Sequence, residues 1–135
     1  MTRSGSLTDQ DYVALAEFRH TLRRFQAFSE SKAAEVGLTP QQHQALLAIR
    51  AASPEEVTVG YIAQRLVMKP HSASGLIDRL EVLELVTRQE TTSDRRRSIL
   101  QLTDKAEVLL ASLSETHRDE VIRLKPLLVD LLKWL

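Results

Sequence analysis

At 135 residues, with 43% hydrophobic and 27% charged residues and only four glycines and four prolines, the chain has the length and balance of one packed, mostly helical domain. Eighteen Lys and Arg against eighteen Asp and Glu leave no net charge, so any attraction to nucleic acid depends on where the charges sit rather than on their sum. The absence of cysteine excludes disulfides, thiolate catalysis, cysteine-ligated zinc and thiol-based sensing, and no long apolar run marks a membrane span or an export signal, which together predict a cytoplasmic protein.

Leu7-Thr8-Asp9-Gln10-Asp11-Tyr12 predicts the first helix start: Thr8 caps, Asp9 and Asp11 suit the positive end of the helix dipole, and Leu7 and Tyr12 have staple spacing. Leu15, Phe18, Leu22 and Phe25 recur at steps of three and four as an apolar stripe, and Gly37 supplies the left-handed residue that ends this long helix near Val36. Thr39-Pro40-Gln41-Gln42 opens a second helix carrying Leu46, Leu47 and Ile49, which Ser53-Pro54 closes. An extended piece at Val57 to Val59 precedes a short third helix with Ile62 and Leu66, and Lys69-Pro70 restarts the chain as a fourth. Val86 to Glu90 and Ile99 to Leu102 read as short strands joined by the polar stretch Thr91 to Arg97, a hairpin with a charged tip. Thr103-Asp104 opens a fifth helix with Ala106, Leu110, Leu113, Val121 and Leu124 on its apolar face, and Pro126 is expected to separate it from a last segment, Leu127 to Leu135.

Helix, tight turn, helix and hairpin in succession is the order of a winged helix-turn-helix, in which the second of the paired helices enters the major groove. At about 100° per residue, Ala73, Leu76, Ile77 and Leu80 fall on one side of the fourth helix and His71, Ser74, Gly75 and Asp78 on the other, with Ser72 and Arg79 on the flanks. Together with Pro70 these are the candidate recognition residues, since small hydrogen-bonding groups allow close approach to base edges and phosphates. Asp94-Arg95-Arg96-Arg97 is the candidate wing contact, because guanidinium groups suit a narrow groove of negative potential and a neighbouring carboxylate can orient one.

These segments resemble the MarR family of bacterial transcription regulators over nearly the whole chain. The matching residues are Leu38-Thr39-Pro40-Gln41-Gln42, Thr58 through Ile62-Ala63 to Leu66, Leu76-Ile77-Asp78-Arg79-Leu80-Glu81, and Asp94-Arg95-Arg96 running on to Leu100-Gln101-Leu102-Thr103. The resemblance implies a mainly α fold with a small β-hairpin wing, residues 1–36 and 103–135 forming a helical dimerisation region and residues 37–102 the DNA-binding lobe. It implies paired action of Asp94 and Arg96, and a small aromatic or phenolic effector in a crevice for which Phe25 and His43 are the candidates. The chain departs from the family at Lys69, where serine is common, and at Gly75, where a long basic side chain is common. Both departures lie at the start or on the outward face of the fourth helix, where individual DNA contacts are decided.

A homodimer is expected on the residues alone. Leu127, Leu128, Val129, Leu131, Leu132, Trp134 and Leu135 are too apolar to leave in water, burial of each large side chain contributing roughly 1.5 to 3 kcal/mol. A twofold dimer predicts a pseudo-palindromic operator in double-stranded DNA with recognition helices about 34 Å apart. Catalysis is not expected: His71-Ser72-Ala73-Ser74-Gly75 holds nucleophile and base types, yet helix neighbours do not face one another and no Gly-x-Ser-x-Gly elbow is present. No cofactor or metal is expected either, because His20, His43, His71 and His117 form no i, i+4 pair. The alternative is a winged-helix module that binds protein instead of DNA, since fold alone does not fix function.

Overall fold

The computed structural model describes the backbone of residues 5–91 and 94–135, and the side chains among these outside 91–97. Its order is α1 (Asp9–Glu35), α2 (Pro40–Ala51), a 3-10 turn (Pro54–Glu56), α3 (Val59–Arg65), α4 (Pro70–Val82), β1 (Val86–Thr91), β2 (Asp94–Leu102) and α5 (Asp104–Lys133). The strands form one antiparallel hairpin with Val86 opposite Leu102 and Arg88 opposite Leu100. The fold is therefore mainly α with a small hairpin wing, and α3 packs on α4 as a helix-turn-helix.

Four threonines fix the helix starts. The hydroxyls of Thr8, Thr39, Thr58 and Thr103 accept from the backbone N–H groups of Asp11, Gln42, Tyr61 and Ala106, and Asp11 and Gln42 complete reciprocal capping boxes. Lys69 caps α4 with no side-chain bond, as its long ammonium chain cannot accept one, and Pro70 at the first helical position supplies the start instead. Three helices end alike. The N–H groups of Leu38, Met68 and Leu85 donate back to the carbonyls of Ala33, Ala63 and Leu80, with Gly37, Val67 and Glu84 in the left-handed region at φ 79°, 53° and 61°. Gly37 is the residue suited to this; Val67 and Glu84 bear steric strain for the same turn.

The core runs through the whole lobe: Leu46, Ile62, Ile77, Leu80, Val86 and Leu100 are fully enclosed, with Ala33, Ala106, Leu110 and Leu113 linking α1 and α5 to it. The Leu15, Phe18, Leu22 and Phe25 stripe is exposed or half-buried, while α1 buries Asp11, Ala14, Thr21 and Ala33. Leu47 and Val121 are also exposed. Two expectations need correction, the extent of the extended piece and the break at Pro126. The extended piece stops at Thr58, because that residue caps α3, and it is Val57 that bonds the wing by accepting from the Leu100 N–H. Pro126 does not divide the C-terminal helix. It removes one backbone donor and costs about 3 kcal/mol in a helix interior, yet Leu124 and Leu131, two turns apart on either side, are both buried and hold α5 continuous.

Candidate nucleic-acid interface and an adjoining cavity

Helix α4 separates into two faces as its periodicity demands. Ala73, Leu76, Ile77 and Leu80 are buried, whereas Pro70, His71, Ser72, Asp78 and Arg79 are exposed and Ser74 and Gly75 half-exposed. A Cβ built on Gly75 meets no atom within 4 Å, so nothing in the chain requires glycine there and the face is open to a large external surface. Arg88 on β1 reaches this helix: its Nη2 lies 2.6 Å from Asp78 Oδ1 and its Nε 2.8 Å from Glu81 Oε1. Asp78 is thus engaged by the wing, a contact that the sequence reading did not anticipate.

The backbone of Asp94, Arg95, Arg96 and Arg97 belongs to strand β2, which starts earlier than the expected Ile99, so three successive arginines lie along a strand arm and not in an open tip. Thr91 pairs with Asp94, with a bulge after Glu90. The positions of these four side chains lie outside the described residues.

A cavity of about 590 Å3 opens between α1, α2 and α5, walled by Leu22, Phe25, Leu47 and Val121 with His43, His117, Glu30 and Arg118 at its polar side. It falls within the size of small-ligand sites, roughly 300 to 1,000 Å3. Phe25 and His43, candidates from the sequence, meet here, joined by His117, whose ring centroid is 4.7 Å from that of His43 and 6.1 Å from Phe25. His117 Nδ1 is 2.7 Å from the Leu113 carbonyl and Nε2 2.8 Å from Ser29 Oγ. A carbonyl only accepts, so Nδ1 carries the proton, and in the neutral ring the Ser29 hydroxyl donates to Nε2. His43 is 3% exposed and its Nδ1 has no hydrogen-bond partner among the described residues. The sequence showed four scattered histidines; it could not show that two of them, 74 positions apart, share one wall.

Burial holds the His43 imidazole below its ordinary pKa of 6.5, and the neighbouring His117 adds to the effect. An unfolded chain takes up this proton near pH 6.5, whereas the folded chain resists it to lower pH. Below that pH the unfolded state binds more protons, so the stability tied to neutral His43 is complete above pH 6.5 and is lost as the pH falls through the folded value. The melting temperature is expected to drop between about pH 7.5 and 5.5, and to drop less in His43→Phe, which keeps a ring against His117. Parallel pH profiles for both proteins would show that His43 protonates equally in the two states.

Residues 36–97 match the sequence profile of the MarR family. A multiple antibiotic-resistance repressor (MarR) from Listeria monocytogenes superposes with a TM-score of 0.67 at 26% identity, covering 96% of this chain and 99% of that one. Over residues 36–97, and in its fold, the chain is similar to the MarR family. The MarR fold is also seen in Staphylococcus aureus MepR in complex with DNA, with a TM-score of 0.69 at 20% identity over 87% of this chain and 81% of that one. The Bacillus subtilis transcriptional repressor MdtR is 35% identical over 72 residues, 53% of this chain. The match spans 45% of that repressor's length.

Proposed function

We propose that this chain is a DNA-binding transcription regulator of the MarR family, acting as a homodimer on a pseudo-palindromic operator, and that it has no enzymatic activity. The observation that carries the reading is the exposed, hydrogen-bonding face of α4 standing opposite its buried face and beside the wing. Pro70, His71, Ser72, Ser74, Gly75 and Arg79 are the groove-facing set, and Asp94 to Arg97 the wing set. Residues 37–102 form the reading lobe, and residues 1–36 with 103–135 the dimerisation region. DNA bound to MepR, which has the same fold, and the repressor function named for MdtR favour repression, and a regulator of this kind works in the cytoplasm. The cavity at Phe25 and His43 takes a small aromatic effector, which changes the relation of the two lobes by binding their arrangements unequally. Among the described residues no helix is long and apolar enough to cross a membrane.

Fluorescence-anisotropy titration against sites selected from random DNA tests this. Wild type is expected to bind a palindromic site with affinity falling steeply in salt. Arg96→Ala is expected to weaken binding roughly 5- to 100-fold and to reduce the salt slope by about one per subunit if Arg96 neutralises a phosphate. A chain that selects no DNA sequence overturns the reading and leaves a protein partner as the object of the winged lobe.

A further inference from the structure

Two carboxylates on α4 hold one guanidinium from the wing. Asp78 and Glu81 are three residues apart, hence neighbours on one helix face, and Arg88 meets the first through Nη2 at 2.6 Å and the second through Nε at 2.8 Å. The planar fork of arginine allows two such bonds in fixed directions, which a lysine ammonium does not. Arg88 stands opposite Leu100 in the hairpin, and Leu100 is itself fixed, its side chain 1% exposed and its N–H donating to the Val57 carbonyl at 2.8 Å. The clamp therefore joins the base of the wing to the second half of α4. Strand β1 runs three residues further, about 10 Å at strand rise, so a small rotation at Arg88 is enlarged at the far end of the hairpin.

We propose that Arg88 is a positioning residue for DNA binding: forked onto Asp78 and Glu81, it sets the angle between wing and recognition helix so that both meet the duplex as one rigid unit. This rests on the DNA-binding reading above. Ion pairs that water reaches stabilise folds little, and Asp78 is exposed with Glu81 and Arg88 about one-third exposed, so the contribution lies in the preformed angle and not in the stability of the lobe. The sign of one charge effect separates this from simpler roles. Removing two carboxylates from a surface that faces phosphates should tighten binding by electrostatics alone. If they hold the wing, removing them weakens binding.

The experiment compares wild type, Arg88→Gln, Arg88→Lys, the double variant Asp78→Asn/Glu81→Gln, and the triple variant combining Arg88→Gln with it. Binding to the operator selected by wild type is measured at several salt concentrations. Amide hydrogen exchange of residues 86–91 and 98–102 is measured without DNA. Arg88→Gln and the double variant are each expected to lose about tenfold in specific affinity, as a contact surface does when its preorganisation is lost. The triple variant loses no more than either, because all three break the same contact. Lysine fails to rescue, the salt slope stays that of wild type, and wing amides exchange faster in every variant. Tighter binding by the double variant, together with an Arg88→Gln salt slope reduced by about one per subunit, would make Arg88 a phosphate contact and overturn the proposal. A change of preference at a single base pair on Asp78→Asn, absent in Arg88→Gln, would make Asp78 a base reader and overturn it too. If wild type selects no DNA, the regulator reading fails and the DNA role of Arg88 with it. The exchange data then separately decide the clamp, unaltered wing exchange removing it and faster exchange retaining it.

Discussion

Val129→Glu/Leu132→Glu is expected to convert the protein from dimer to monomer in sedimentation, and to lower affinity for a palindromic operator by about 100-fold or more through loss of linked half-site binding. Val129 is 43% and Leu132 58% exposed, so neither glutamate displaces a core side chain of its own chain. On α5 the two lie near Val121 and Ile122, which are 49% and 60% exposed, and all four fall within about 100° of helix surface. Tyr12, Val13, Leu15 and Leu22 of α1 add a second exposed apolar set, and α1 packs on α5. Two such helices leave more apolar area in water than a stable monomer ordinarily tolerates. Charges placed there are cheap in the monomer and costly once a partner removes water from them. A double variant that remains dimeric and binds the operator as wild type does would place the contact between subunits elsewhere.

That apolar surface also explains which features were legible in the sequence. Capping threonines, Pro40, Pro70 and Gly37 act through their own backbone neighbours, so Thr8, Thr39 and Thr103 located three helix starts directly. The period of α4 assigned its buried and exposed residues because one face meets the core and the other meets solvent. The period of α1 marked an apolar stripe that is exposed or half-buried in the single chain, whereas the residues α1 buries are small or polar and gave no such signal. Pro126 misled because a local rule about backbone donors was outweighed by burial at Leu124 and Leu131. Glu84 and Val67 gave no sign of their left-handed turns, which are imposed by how α3 and α4 end. The candidate site divides in the same way. Its exposed α4 residues followed from helix geometry, whereas the His43–His117 contact and the Arg88 fork join residues from different elements whose meeting only tertiary packing decides.

The same α4 pattern carries the largest expected loss of stability. Leu80→Ala should destabilise the fold by about 2 to 5 kcal/mol, a large part of the roughly 5 to 15 kcal/mol that holds a domain of this size. Leu80 is fully buried in the cluster that also holds Leu46, Ile62, Ile77 and Leu100. Its backbone carbonyl takes the Leu85 N–H that closes α4, so a cavity at this position lies directly beneath the turn leading into the wing. Val82, two residues on, is 83% exposed, and Val82→Ala should change stability by no more than about 0.5 kcal/mol. Urea unfolding at one fixed protein concentration checks both, since the stability of a dimer depends on concentration. Because buried residues of α1, α2, α4, β1, β2 and α5 belong to one cluster, the loss at Leu80 should appear as one cooperative transition moved to lower urea with its slope unchanged. A second, separate transition would mean that the reading lobe unfolds apart from the long helices. Such a result would support the proposed division of the chain into a reading lobe and a dimerisation region.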